Sequence, residues 1–165
     1  MNIGDLFTAY TGSPEWRRLS YASQRAYAHG LDYWKPYHKI DLVDAFSPLM
    51  ILRDQLWDDR PGMAGMFLSS SSVMFSYAVR RRWMPINPVK GVERPKMGQY
   101  KKWSDKAISD FLDSSPPKHL ELAVLMGLCT AQRLGDIVRA KWDDIDMVRC
   151  VWQVTQSKTC TKVRV

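Results

Sequence analysis

Pro85, Pro88 and Pro95 constrain the fold of this chain more than any other feature. Proline lacks the amide hydrogen that a helix interior or a central strand needs, so no long element can run through this stretch. The residues around the prolines are charged and show no apolar periodicity, which is typical of a linker. We therefore expect two domains, over residues 1–96 and 97–165, with a basic linker that begins near residue 80.

The region before the linker has the periodicity of amphipathic helices. Apolar spacing predicts a short first helix, a second over about 20–36, a third from Ser47 and a fourth over about 62–83. Ser20 is a favourable N-cap, and Ser47-Pro48 has the pattern of an N-cap followed by proline at the first helical position. We interpret the Met and aromatic stripe of the fourth helix as core, because a periodic apolar face needs burial.

The region after the linker mixes helix and strand. Ser104 predicts the start of a short helix, and apolar spacing predicts two more helices before residue 140. Residues 148–155 alternate and contain strand formers, and residues 162–165 are expected to pair with them across a connection at 156–161. Three short helices and a hairpin are little material for a closed core, so we expect an open part of a larger domain.

Positive charge concentrates in the linker. Residues 80–102 contain eight cationic side chains and one acidic side chain, that of Glu93. The formal net charge of this stretch is therefore +7, which equals that of the whole chain. The cationic residues are Arg80, Arg81, Arg82, Lys90, Arg94, Lys96, Lys101 and Lys102. Clustered cations are expected of a protein that binds a phosphate backbone, although a solvated surface gives the same pattern. We take these eight as candidate DNA-binding residues.

Several classes of protein are disfavoured by composition. The three cysteines have no paired spacing and no nearby histidine cluster, which argues against a disulfide framework or a metal site and fits a reducing cytosol. The first residues lack the pattern of a signal peptide, and no apolar run approaches the ~20 residues that span a bilayer. We therefore expect a cytoplasmic protein with no metal and no membrane partner.

The most informative segment is residues 130–146, TAQRLGDIVRAKWDDID. It resembles the first catalytic-arginine box of tyrosine site-specific recombinases of the phage-integrase type. In that box a Thr-Gly-x-Arg turn precedes an acid three residues later and a Trp-x-Asp-Ile-Asp segment. Arg133 matches the arginine and Asp136 the acid, whereas Ala131 stands where the family usually has glycine.

A second segment, QSKT at residues 156–159, is similar to the family's hairpin lysine, here Lys158. Cys160 stands where many relatives have glycine. The helices, Asn87-Pro88 and the basic linker resemble the family's core-binding domain, so the resemblance covers essentially the whole chain.

The resemblance implies a mainly α fold. A SAM-like four-helix core-binding domain over 1–96 would precede the N-terminal part of an α+β recombinase catalytic domain, with a β-hairpin, over 97–165. It also implies a DNA breaking and rejoining enzyme of DNA integration that works through a 3′-phosphotyrosyl link without a cofactor. The implied partners are double-stranded DNA at attachment-type sites and other recombinase protomers, in a bacterial or phage setting associated with the nucleoid.

The residue types suit this chemistry. The guanidinium of Arg133 can meet two non-bridging phosphate oxygens at once, and Asp136, three residues later, is expected to fix the rotamer of Arg133. In the family the hairpin lysine protonates the departing 5′ oxygen, and Lys158 is similar to it. The resemblance therefore assigns catalytic roles to Arg133 and Lys158 and a supporting role to Asp136.

The family also needs groups that nothing here matches. Its nucleophilic tyrosine and its His-x-x-Arg box follow the arginine box, but all seven tyrosines of this chain precede Arg133. A catalytic constellation acts as a unit, so we expect these residues to bind DNA without cleaving it. The alternatives are a truncated prophage product with a regulatory DNA-binding role, a non-functional remnant, and a helical protein-interaction domain.

Overall fold

The computed structural model describes residues 1–96 and 98–165. The chain forms two compact units, Met1–Gln99 (unit 1) and Tyr100–Val165 (unit 2). The boundary that the sequence predicts between residues 96 and 97 falls at Met97, which lies outside the described residues.

Unit 1 consists of helices packed around one long helix. They are α1 (Ile3–Thr11), α2 (Pro14–Arg17), α3 (Tyr21–Leu31), α4 (Phe46–Trp57) and α5 (Pro61–Arg80), with 3-10 turns at Asp32–Tyr37 and Leu42–Asp44. The helices α1, α3 and α4 all contact α5. Because α5 is the longest helix and touches the other three, it forms the centre of the unit.

Local capping explains where these helices start. The Ser20 side chain accepts a hydrogen bond from the backbone N–H of Ser23, which confirms Ser20 as the N-cap of α3. The prediction for Ser47 is wrong: α4 begins at Phe46, and Ala45 is its N-cap without a side-chain bond. Pro48 then lies in the first turn, where an amide hydrogen would have no partner within the helix, so the proline is accommodated there.

The core of unit 1 centres on the fully buried Trp34. Its ring packs against Phe67 and Phe75, and its Nε1 donates a hydrogen bond of 2.8 Å to the Ser71 hydroxyl on α5. A Cβ at Gly30 would lie 2.4 Å from the Ser70 hydroxyl oxygen, so only glycine allows α3 to approach α5 this closely. The Met and aromatic stripe of α5 lies in or beside this core, as predicted.

Part of the basic stretch after α5 belongs to unit 1. Met84 and Val89 are buried in the core, and Val92 packs against it. The side-chain amide of Asn87 donates to the Ser72 carbonyl oxygen and to the Ser76 hydroxyl, both at 2.9 Å. The segment that is free of such packing therefore begins later than the predicted position near residue 80.

Unit 2 combines short helices with a small sheet. Its elements are α6 (Asp105–Asp113), α7 (Lys118–Thr130), α8 (Leu134–Ile137), a 3-10 turn (Trp142–Asp144), β1 (Ile145–Asp146), β2 (Val151–Thr155) and β3 (Lys162–Arg164). The three strands are antiparallel in the order β1-β2-β3, with Ile145 opposite Trp152 and Val154 opposite Val163. The hairpin and the mainly α fold class are confirmed, whereas the sequence did not predict β1.

The apolar residues of unit 2 are only partly covered. Its buried apolar residues in the described chain are Ile137, Trp152 and Val154. Helix α7 is apolar on most of its surface, yet none of its residues is buried. Leu120, Leu122, Leu125 and Leu128 are 38–51% exposed. Across the described residues, no helix combines the length and the apolarity that a membrane span requires.

Candidate functional site

Arg133 lies in the turn that joins α7 to α8. Helix α7 ends at Thr130, and Ala131 then takes a left-handed conformation with φ of 51° and ψ of 24°. Such a conformation costs a residue with a Cβ about 1–2 kcal/mol, which is why glycine is favoured there. Arg133 has extended backbone angles and is the N-cap of α8. Its side chain therefore projects from a residue that precedes the first turn of α8.

Lys158 lies in the connection between β2 and β3. Two backbone bonds close this loop: the N–H of Gln156 donates to the Thr161 carbonyl at 2.9 Å, and the N–H of Cys160 donates to the Gln156 carbonyl at 2.8 Å. Cys160 is left-handed, with φ of 55°. Ala131 and Cys160, the two positions at which this chain differs from the glycine of the recombinase pattern that it resembles, thus both have backbone angles that favour glycine. The side chain of Lys158 is exposed.

Gln156 joins the arginine turn to this loop. Its Oε1 accepts hydrogen bonds from Arg133 Nη1 at 3.1 Å and from the Thr159 hydroxyl at 3.0 Å. Its Nε2 donates to Gln132 Oε1 at 2.8 Å. The structure therefore brings Arg133 and the loop that carries Lys158 together at one end of the sheet.

Asp136, on α8, also holds the loop that carries Lys158. The residue is 3% exposed, and its Oδ1 accepts from the Ser157 backbone N–H at 2.9 Å and from Arg139 Nη2 at 3.4 Å. The bond from the Ser157 backbone, together with the charge of Arg139, holds the pKa of the Asp136 carboxyl below its usual value, although burial opposes this.

The expected contact between Asp136 and Arg133 is not formed in the part of the chain that the structure describes. Arg133 is an N-cap with extended ψ, so the geometry that joins residues three apart within a helix does not apply to this pair. Asp136 instead holds Ser157, beside Lys158. Its support therefore goes to the lysine loop rather than to the arginine.

A small cavity lies beside this carboxylate. It has a volume of about 160 Å³ and is lined by Asp136, Arg139 and Trp152, among others. Asp136 Oδ2 and Trp152 Nε1 are both buried and have no hydrogen-bond partner among the described residues. Two residues that line this cavity therefore each carry a buried polar atom without a partner in the described part of the chain.

The eight cations of the basic stretch differ in their surroundings. Arg81 donates from Nη1 to Glu15 Oε1 at 3.1 Å, and its guanidinium lies 3.6 Å from the centre of the Tyr77 ring. Arg94 donates to the Ser69 hydroxyl at 2.8 Å. A backbone hydrogen bond and the contact with Arg81 lower the pKa of the Glu15 carboxyl. Arg81 therefore has a structural role within unit 1, whereas the others have exposed side chains.

Sequence reasoning did not single out the two glutamines of this site. Gln132 adjoins Arg133, and Gln156 directly follows β2, two residues before Lys158. A polar amide next to each expected functional residue was the available signal. Their mutual bond joins residues that are far apart in the chain, so the sequence alone could not predict it.

The fold defined by these two units is that of the integrases. It is similar to a lambda integrase dimer bound to a COC' core site, with a TM-score of 0.83 and 19% identity over all of this chain and 48% of that chain. For a lambda integrase tetramer bound to a Holliday junction, the TM-score is 0.84 and the identity 20%, and the match covers 50% of that chain. For a dimer of lambda integrase residues 75–356 bound to a COC' core site, the TM-score is 0.82 and the identity 20%, and the match covers 62% of that chain.

The chain spans about half the length of these integrase chains. At this level of identity the similarity establishes the fold, and it confirms the integrase resemblance at that level. No protein-family model matches the chain. No curated protein matches it either.

Proposed function

We propose that this chain binds double-stranded DNA through its phosphate backbone, as an integrase-like protein of site-specific DNA recombination. Its targets would be attachment-type sites, occupied together with other recombinase protomers. The observation that carries this proposal is the junction at Gln156, where a guanidinium and an ammonium-bearing loop meet on the integrase fold.

The two cationic side chains complement a phosphodiester. Arg133 is exposed, and its hydrogen bond to Gln156 uses only Nη1, which leaves Nε and Nη2 to meet two phosphate oxygens. Lys158 is exposed on the same loop and carries a mobile proton donor. In this proposal Arg133 binds the non-bridging oxygens, and Lys158 faces the bridging 5′ oxygen.

We further propose that these residues bind DNA without cutting it. All seven tyrosines precede Arg133 in the chain, whereas the nucleophile of the recombinases that it resembles follows the arginine box. Removal of one member of a catalytic unit abolishes most of its rate, so a lone arginine and lysine give no measurable cleavage. Incubation with DNA should leave no covalent protein–DNA adduct on a denaturing gel.

The test of DNA binding uses fluorescence anisotropy with a labelled duplex of about 30 base pairs over a series of salt concentrations. The logarithm of the affinity should fall linearly with the logarithm of salt, because each phosphate contact releases counterions. The variant carries Arg80→Glu, Arg82→Glu and Lys90→Glu, and it leaves Arg81 in place because that residue holds Glu15.

The matched control reverses three exposed cations elsewhere in unit 1, with Arg25→Glu, Lys35→Glu and Lys39→Glu. Both variants change the net charge equally, so a long-range charge effect lowers both affinities to the same extent. The proposal expects the first variant to lose at least about tenfold more affinity than the control. Equal losses, or no binding by the unaltered chain at low salt, would remove the basic stretch as a DNA surface.

A further inference from the structure

We propose that Gln156 is a positioning residue that holds the guanidinium of Arg133 in the orientation that receives a phosphate. The same side chain joins Arg133 to the loop of Lys158, so that the two cations present themselves as one preformed unit. This inference rests on the proposed function and assigns a role to Gln156, which the sequence analysis quoted beside Lys158 without giving it a function.

The hydrogen bonds of Gln156 determine its orientation. Arg133 has only donors, so the atom of Gln156 that faces it at 3.1 Å is the amide oxygen. The same oxygen accepts from the Thr159 hydroxyl, which fills both of its lone pairs. The amide nitrogen donates to Gln132 Oε1, and Gln132 is itself anchored by its Nε2 on the Thr130 carbonyl at 3.2 Å. The amide of Gln156 is therefore fixed at both ends.

A neutral acceptor suits this position better than a carboxylate would. An exposed arginine has many rotamers, and ordering them when a ligand binds reduces affinity. Gln156 removes part of that cost in advance, because it holds one N–H of Arg133 before any phosphate arrives. Since the amide carries no charge, it leaves the full positive charge of the guanidinium available to the phosphate.

The loop of Lys158 is anchored on both sides of the lysine. The Thr159 hydroxyl binds Gln156 Oε1, and the Ser157 backbone N–H binds Asp136 Oδ1. The residues before and after Lys158 are thus fixed to the group that holds Arg133 and to the carboxylate on α8. Loss of Gln156 should loosen the arginine and one side of the lysine loop together.

The first readout needs no DNA. Heteronuclear NMR of the Nε–H group of Arg133, identified by its absence in Arg133→Lys, reports the order of the guanidinium in the free protein. Gln156→Met should reduce that order to the level of a freely exposed arginine. The control is Gln153→Met, an exposed glutamine of β2, the strand that ends just before Gln156, and it should leave the signal unchanged. An unchanged Arg133 signal in Gln156→Met would overturn the proposal.

The second readout is duplex affinity at low salt in two backgrounds. Gln156→Met should weaken binding about three- to tenfold in the natural chain and have a clearly smaller effect when Arg133 is alanine, because only the anchor of the lysine loop is then lost. Gln156→Glu should weaken binding more than Gln156→Met, because its carboxylate competes with the phosphate for Arg133. Gln153→Glu adds the same charge on the adjoining strand β2 and should cost less affinity.

The outcomes separate this inference from the proposed function. If the natural chain fails to bind duplex, the proposed function fails. If it binds, but Gln156→Met costs the same with and without Arg133, the role of Gln156 fails alone. If the methionine variant does not fold, Gln156→Asn repeats the test, because it keeps the amide but is too short to reach Arg133. This variant should bind duplex as weakly as is expected of Gln156→Met. An affinity equal to that of the natural chain would contradict the inference.

Discussion

Unit 1 and unit 2 hold their functional surfaces by different means. Unit 1 buries large side chains such as Trp34, Phe67 and Phe75 completely, and Arg81 is fixed on the outside of that core. Among the described residues, the buried apolar side chains of unit 2 are Ile137, Trp152 and Val154, and the leucines of α7 are exposed. Its arginine turn and lysine loop are held mainly by side-chain hydrogen bonds.

The two units also differ in backbone strain, which is greater in unit 2. Of the described residues other than glycine with positive φ, Arg82 lies in unit 1, whereas Ser115, Ala131, Cys150 and Cys160 lie in unit 2. A unit with a small core and several strained residues has a smaller free energy of unfolding. We therefore expect unit 2 to unfold before unit 1, and its site to respond most to changes in polar contacts.

The largest effect is expected in the core of unit 1. Trp34→Ala removes a fully buried ring and its bond to Ser71, so it should lower the free energy of unfolding of unit 1 by about 3–5 kcal/mol. Trp142→Ala in unit 2, where the ring is 70% exposed, should cost less than about 0.5 kcal/mol. Urea titration followed by circular dichroism measures both. Similar costs for the two variants would refute the contrast between the cores.

A smaller effect of opposite sign is expected from relief of strain in unit 2. Ala131→Gly and Cys160→Gly should each raise the free energy of unfolding of unit 2 by about 0.5–1 kcal/mol, because glycine takes positive φ without a steric penalty. Ala107→Gly, at an exposed position of α6 with ordinary helical geometry, should instead lower it by up to about 1 kcal/mol. The comparison fails if all three substitutions act in the same direction.

The most local effect concerns pH and the lysine loop. The folded pKa of Asp136 is lowered, so the stabilisation from its charge is fully present above the unfolded value of about 3.9 and is lost as pH falls through the folded pKa. Hydrogen exchange of the Ser157 amide should therefore lose protection below about pH 4. Asp136→Asn keeps an acceptor oxygen and should abolish this pH dependence. Its persistence in that variant would assign the effect to another group.

Local rules explain which parts of the fold the sequence could predict. Ser20 and Ser104 cap their helices as expected, because an N-cap depends on residues within one turn. Strand β1 was missed because it has two residues and exists through its pairing with β2. The predicted cap at Ser47 is wrong because α4 starts two residues before Pro48, at Phe46, and its N-cap Ala45 makes no side-chain bond.

The site shows the same limit. Arg133 and Lys158 could be proposed as site residues because their neighbours in sequence form recognisable patterns. The contacts of Arg81 with Glu15 and of Gln132 with Gln156 join residues that are distant in the chain, so no local pattern contains them. The role expected of Asp136 was assigned to the wrong neighbour because helix spacing was applied to Arg133, which has extended backbone angles.

The most direct test of this account measures the salt dependence of duplex binding for Arg133→Ala, Lys158→Ala and their double variant. If both cations contact phosphate, each single change should reduce the slope of log affinity against log salt by about one, and the double variant by about two. Lys106→Ala, an exposed lysine of α6, serves as the control in the same unit. Slopes for all three variants equal to that of the natural chain would contradict the claim that Arg133 and Lys158 meet the DNA backbone.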